Sequence, residues 1–187
     1  MNADIPIPAI GDARRYRVAA DGDIDAVVAL VNSAYRGDSS RLGWTTEADL
    51  LDGLRTDRDE VRELIEQPDS LILLCLDGDT LIGTTHLRRA GSVAELGMFT
   101  IRPGLQGRGL GRQFLAEAER VARERWRVTA MRMAVISRRH ELIAYYERRG
   151  YRRTGQYREF PRHHPRYGIP KVDDLVLEVL EKRFDGT

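Results

Sequence analysis

The chain has 187 residues, enough for one domain with a single buried core. It is 42% hydrophobic and 32% charged with a formal net charge of +1, a globular composition whose balance argues against nucleic-acid binding driven by net charge. Of 30 basic residues only Lys171 and Lys182 are lysines, and the arginines are scattered among 29 acids, which reads as a solvated surface.

Residues 1 to 14 are expected to form a loose arm, and 15 to 187 a single domain. The opening MNADIPIPAIGD lacks a basic stretch followed by an apolar one, so it does not read as a signal peptide. Tyr16 to Ala20 predicts a short strand. DGDIDAVVALVNSAYRG predicts a helix with Asp21 or Asp23 as N-cap, an apolar stripe of Ile24, Val27, Val28, Val31 and Tyr35, and Gly37 as its stop. A second helical stretch is expected from Thr46 to Gln67, broken near Thr56 and ended by Pro68.

The texture then changes. SLILLCLDGDTLIGTTHLRR predicts two strands joined at Asp77-Gly78-Asp79. Cys75, the single cysteine, excludes an intrachain disulfide and reads as a core residue in a reducing compartment. The longest apolar run, Leu71 to Leu76, is too short to span a bilayer, so the expectation is a cytoplasmic protein without a membrane partner. Further elements are a strand from Ser92 to Ile101, a helix from Gly109 to Trp126 striped by Phe114, Leu115, Ala118, Val121 and Ala122, and a strand from Val128 to Ile136. A helix from Arg139 to Arg149, closed by Gly150, precedes two final strands, YRRTGQY and DDLVLEVLEK. This order predicts one α+β domain.

RPGLQGRGLGRQF, from Arg102 to Phe114, carries Gly107, Gly109 and Gly111 at alternate positions just before a helix. Glycine lets successive backbone N–H groups turn toward one point, and the helix start adds its own unpaired N–H groups and the positive end of its dipole. Such a turn suits a pyrophosphate, with Arg108 and Arg112 supplying charge; a plain tight turn into a helix cap is the alternative. A Walker A loop is excluded because Leu110 stands where lysine is required, and the dinucleotide G-x-G-x-x-G pattern fails at Arg112.

ELGMFTIRPGLQGRGLGRQFL resembles motif A of the GCN5-related N-acetyltransferase (GNAT) superfamily, with Gln106, Gly109 and Gly111 at the signature positions of Q/R-x-x-G-x-G/A. ELIAYYERRGY is similar to motif B of the same superfamily. The resemblance implies a GNAT-type fold: a mixed, mostly antiparallel sheet of about six to seven strands with a V-shaped splay, flanked by about four helices. It implies acetyl-CoA as co-substrate and no metal. Backbone groups of Phe99, Thr100 and Ile101 would pair with the pantetheine arm, and the loop Gln106, Gly107, Arg108, Gly109, Leu110, Gly111 and Arg112 would wrap the pyrophosphate.

Direct acetyl transfer needs a neutral amine, although a lysine-type amine has a pKa of ~10.4, so a base must act and the leaving thiolate needs a donor. Glu95, on the strand leading into the loop, is the candidate base; a solvent-facing strand residue is the alternative. Tyr146, matching the motif B tyrosine, is the candidate acid; a core aromatic beside Leu142 is the alternative. Tyr145 points elsewhere on the helix and reads as structural. Arg139 stands where the superfamily often has asparagine on the pantetheine arm; its guanidinium is expected to reach a phosphate, unless the local backbone differs. His163 and His164, in FPRHHPRYG, read as a surface loop rather than a metal site, while Asp38, Glu47 and Asp49 could attract a cationic amine.

The leading expectation is an N-acetyltransferase acting on an amine of a small molecule, amino acid or peptide through a ternary complex. O-acetyl or longer acyl transfer, and a CoA-binding module without turnover, stay open. A nucleic-acid partner is not expected, and a homodimer is left open because dimers are common among relatives.

Overall fold

The leucine-rich run from Leu71 to Leu76 is buried on both sides, because alternate residues of a strand face opposite ways. The computed structural model describes residues 14–36, 40, 46–162 and 168–184. Its strands in chain order are β1 (Arg14–Val18), β2 (Leu51–Asp52), β3 (Ser70–Asp77), β4 (Thr80–Ala90), β5 (Val93–Ile101), β6 (Ala130–Ile136), β7 (Arg152–Glu159), β8 (Ile169–Pro170) and β9 (Val176–Arg183). The helices are α1 (Ile24–Tyr35), α2 (Arg58–Glu66), α3 (Leu110–Trp126) and α4 (His140–Glu147).

Seven strands form one sheet in the order β1-β3-β4-β5-β6-β9-β7, antiparallel throughout except for the β5–β6 pair. Leu71, Leu73 and Cys75 of β3 pack with Phe114, Leu115 and Ala118 of α3 and Ile143 of α4. Ile72, Leu74 and Leu76 pack on the other face with Val27 and Val31 of α1 and Val61 of α2. Cys75 is the core residue its context implies, and burial pushes its thiol up to about 11.

The helix expected from Thr46 is corrected. Residues 48–50 form a turn, and Leu51–Asp52 pairs with Ile169–Pro170 as a second, two-stranded sheet. Gly53 takes φ +82°, which ends any helical path, and α2 starts only where Asp57 accepts the Glu60 N–H at 2.7 Å as an N-cap. Asp23 does not cap α1 through its side chain: its carboxylate takes the Ala20 N–H and both arms of the Arg17 guanidinium. The N-terminal arm up to residue 13, Gly37, Asp38, His163 and His164 lie outside the described residues.

Two departures from regularity shape the middle of the sheet. The parallel β5–β6 ladder runs only from Val93 to Glu95 against Ala130 to Arg132, and beyond it the strands are no longer paired. On its other edge β5 carries one residue more than β4 between Gly97 and Thr100, a bulge in which Met98 adopts φ +48°.

Candidate active site

The splay opens beside the glycine-rich turn. A cavity of about 520 Å3 is walled on one side by Phe99, Ile101 and the turn, and on the other by α4. Gly107 and Gly109 adopt φ +80° and +78°, a region costly for residues with a Cβ, and Gly109 is the N-cap of α3. The first amides of α3 therefore have no intrahelical acceptor and open at the turn. Gly111 is needed for a different reason: a Cβ there would meet the Tyr145 hydroxyl at 2.6 Å.

Phe99, Ile101, Gln106, Gly107, Gly109, Gly111 and Arg112 all line this cavity, but Thr100, Arg108, Leu110 and Arg139 do not. Thr100 is buried and its hydroxyl donates to the Met98 carbonyl, while the Leu110 side chain lies in the core, so each offers only backbone. Arg108 is exposed. Arg139 sits elsewhere: its guanidinium is 3.9 Å from Glu47, and its charge acts on Tyr35 and Tyr146. The backbone of residues 99–101 is also less open than expected. The Phe99 carbonyl accepts from the Tyr35 hydroxyl at 2.8 Å, and the Ile101 carbonyl accepts from Gln106 Nε2 at 2.9 Å.

Tyr145, which the sequence suggests is structural, also lines the cavity, as do Arg148 and Arg149, which sequence reasoning missed. The Arg149 guanidinium lies 3.3 Å from the centroid of the Tyr145 ring and donates to the Tyr145 carbonyl at 2.5 Å. The i, i+4 spacing of Tyr145 and Arg149, across the C-terminal end of α4, was the available signal.

A second cavity, of about 410 Å3, lies beyond the same splay between β4, β5, β6 and the helices α1 and α2. Glu95 lines it, fixed by an ion pair with Arg88 and another with Arg158 at 3.2 Å. Burial alone would raise the Glu95 pKa; the hydrogen bonds from Arg88 and Arg158 outweigh it and hold the carboxyl below its ordinary value. His86 lines the same wall. The Ser70 hydroxyl donates to the Leu64 carbonyl at 2.6 Å, which leaves its oxygen to accept from His86 Nε2–H at 2.9 Å. Burial, aided by the positive charges of Arg88 and Arg55, pushes His86 down to about 4, so its imidazole is neutral at pH 7.

The two cavities share Tyr35, Phe99, Leu142 and Tyr146. Tyr146 is 4% exposed and packs edge-on against Tyr145 and Tyr151, with ring centroids 5.2 Å and 5.7 Å away. Burial, reinforced by Tyr35 and Tyr145, raises its pKa well above the ordinary tyrosine value. Its hydroxyl therefore keeps its proton at neutral pH. Tyr35, likewise raised by burial, faces it across the junction. A phenol that keeps its proton stands where the two cavities meet, and an ionised carboxylate lies in the wall of one of them.

Among the described residues no group of three His, Cys, Asp or Glu side chains is arranged to hold a metal ion, and no helix is long and apolar enough to cross a membrane.

Comparison with known proteins gives the family. The model of the acetyltransferase (GNAT) family matches residues 30–151. The fold resembles that of the ribosomal-protein-S18-alanine N-acetyltransferase from Escherichia coli, with TM-score 0.67, 13% identity, and coverage of 94% of this chain and 96% of that one. It also resembles the PaiA N-acetyltransferase from Thermoplasma acidophilum in complex with coenzyme A, with TM-score 0.63, 16% identity, and coverage of 92% and 99%. A third likeness is to a chimera of the spermidine N-acetyltransferase SpeG from Vibrio cholerae and hSSAT, with TM-score 0.65, 17% identity, and coverage of 91% and 95%. None of the curated proteins matches the sequence.

Proposed function

The chain belongs to the acetyltransferase (GNAT) family, and from that premise we propose that it transfers the acetyl group of acetyl-CoA directly to the amine of a small molecule, amino acid or peptide. The observation that carries this reading is the meeting of two cavities at Tyr146, with the glycine turn lining one and Glu95 the other. A solved fold neighbour holds coenzyme A, which supports the same choice of acyl carrier.

Acetyl-CoA would supply a thioester, and the residues of the first cavity suit its parts. The amides at the start of α3, with Arg112, Arg148 and Arg149 around them, form a cationic mouth fit for a pyrophosphate. Tyr145 and Phe99 offer apolar walls for the arm. At the inner end, Tyr146 donates a proton to the sulfur as the carbon–sulfur bond breaks and the carbon–nitrogen bond forms. The amine proton goes to Glu95. Glu95 and Phe99 are four positions apart along the strand, about 13 Å at ~3.3 Å per residue, so this proton would travel through water. Holding the two substrates together supplies much of the remaining acceleration.

Calorimetry with acetyl-CoA and a thiol-release assay over a panel of amines test the proposal. Heat of binding with thiol release that depends on an amine is the expected result. Binding without release would leave a coenzyme-binding module, and no binding to folded protein would remove the reading.

A further inference from the structure

The wall of the second cavity carries more positive than negative charge. Arg36, Arg55, Arg88, Arg132 and Arg158 line it against Glu47, Glu60 and Glu95. Two of those acids are already paired with arginines, and the third is hydrogen-bonded by a hydroxyl. Glu47 takes Arg36 at 2.6 Å, Glu95 takes Arg88 and Arg158, and Glu60 accepts from the Thr56 hydroxyl at 2.7 Å. Arg132 is paired with Glu181 at 2.6 Å.

Arg55 differs from the others. Among the described residues its guanidinium has no ion pair, and its Nη1 is buried without a hydrogen-bond partner. A buried, unpaired guanidinium N–H is costly, and such groups normally mark a missing acceptor. The Arg55 Cζ lies 5.7 Å from the centroid of the Tyr35 ring, and Tyr35 is one of the residues shared by both cavities. The vacant donor is thus one aromatic ring away from the point where transfer would occur. Arginine presents a planar fork matched to a carboxylate, which makes that group the natural complement.

We propose that the amine acceptor carries a carboxylate a few bonds from its amine, as a free amino acid does, and that Arg55 holds this carboxylate. The inference rests on the acetyl-transfer reading and narrows its substrate class. A polyamine would bring cations to a wall where arginines outnumber acids five to three and two of the three acids are already ion-paired, and an internal peptide segment would offer the Arg55 donor no carboxylate of its own backbone.

The test compares thiol release from acetyl-CoA with free amino acids, the same amino acids as carboxamides, and spermidine. The expected result is a kcat/KM at least about 10-fold higher for the carboxylates than for their amides. Arg55→Gln should raise KM for the carboxylates about 10- to 100-fold, leave kcat and coenzyme affinity within about twofold, and erase the preference over amides. Arg55→Lys should recover part of it. Equal or better transfer to amides or spermidine by the unaltered protein would overturn the proposal while leaving acetyl transfer intact, whatever the folding of the variants. An unchanged KM in Arg55→Gln would overturn it too. Absence of coenzyme binding or of any thiol release would instead bring down the transfer reading, and this inference with it.

Discussion

Gly111 and Tyr145 are fitted to each other: the phenol oxygen lies 2.6 Å from where a Cβ at position 111 would stand. The third glycine of the turn admits a ring from α4, whereas Gly107 and Gly109 serve the backbone. Gly111→Ala should therefore destabilise the protein by about 1–3 kcal/mol through overpacking, because Tyr145 is held between Arg149 and Tyr146 and has little room to move. Adding Tyr145→Phe should recover most of the loss, since the next contact is Tyr145 Cζ at 3.6 Å. Urea denaturation of the single and double variants checks this. Alanine at Gly107 or Gly109 should lose about 1 kcal/mol through the backbone and gain nothing from Tyr145→Phe.

Tyr146 keeps its proton far into the alkaline range. Tyr146→Phe should lower kcat about 100-fold or more with little change in coenzyme affinity. Because its pKa is raised, no alkaline limb of the wild-type profile below pH ~10 should belong to it. A single-turnover rate equal to wild type would remove Tyr146 from the chemistry.

Glu95 is ionised whenever the pH exceeds its ordinary value, since Arg88 and Arg158 hold its pKa down. Its protonation cannot shape activity between pH ~6 and ~8, where the rise should follow loss of a proton from the amine. Glu95→Gln is expected to reduce kcat/KM about 100-fold while the slope over that interval stays the same. A pH–rate profile of both proteins decides the matter.

His86 links the cavity wall to stability. Its pKa in the folded protein, about 4, lies below the unfolded value of ~6.5. The unfolded chain therefore binds more protons between these values, and stability falls as pH drops through that window. The contribution lost should reach about 2 kcal/mol by pH ~5. Denaturation midpoints at pH ~8 and pH ~5 should differ less for His86→Gln than for the wild type.

Much of this was legible in the residues. Alternation in the Leu71 to Leu76 run, the Asp77-Gly78 hairpin and the period of α3 depend on local spacing, and each element appears near its expected place. The segment from Thr46 to Asp57 misled because its fate is set by distant partners: Leu51–Asp52 pairs with Ile169–Pro170, more than a hundred positions away. The glycine turn announced itself through composition, but its complement did not. Tyr145 meets Gly111 across 34 residues of chain, and Arg55 reaches the cavity from a loop without periodicity. The Met98 bulge, which lies in the strand wall between the cavities, leaves no trace in residue type.

Among the described residues, Tyr35, Phe99, Leu142 and Tyr146 line both cavities and so form the wall at which their contents would meet. For the proposed transfer, a thioester in one and an amine in the other would share that boundary, so the acyl group would cross it without any residue of the protein having to carry it.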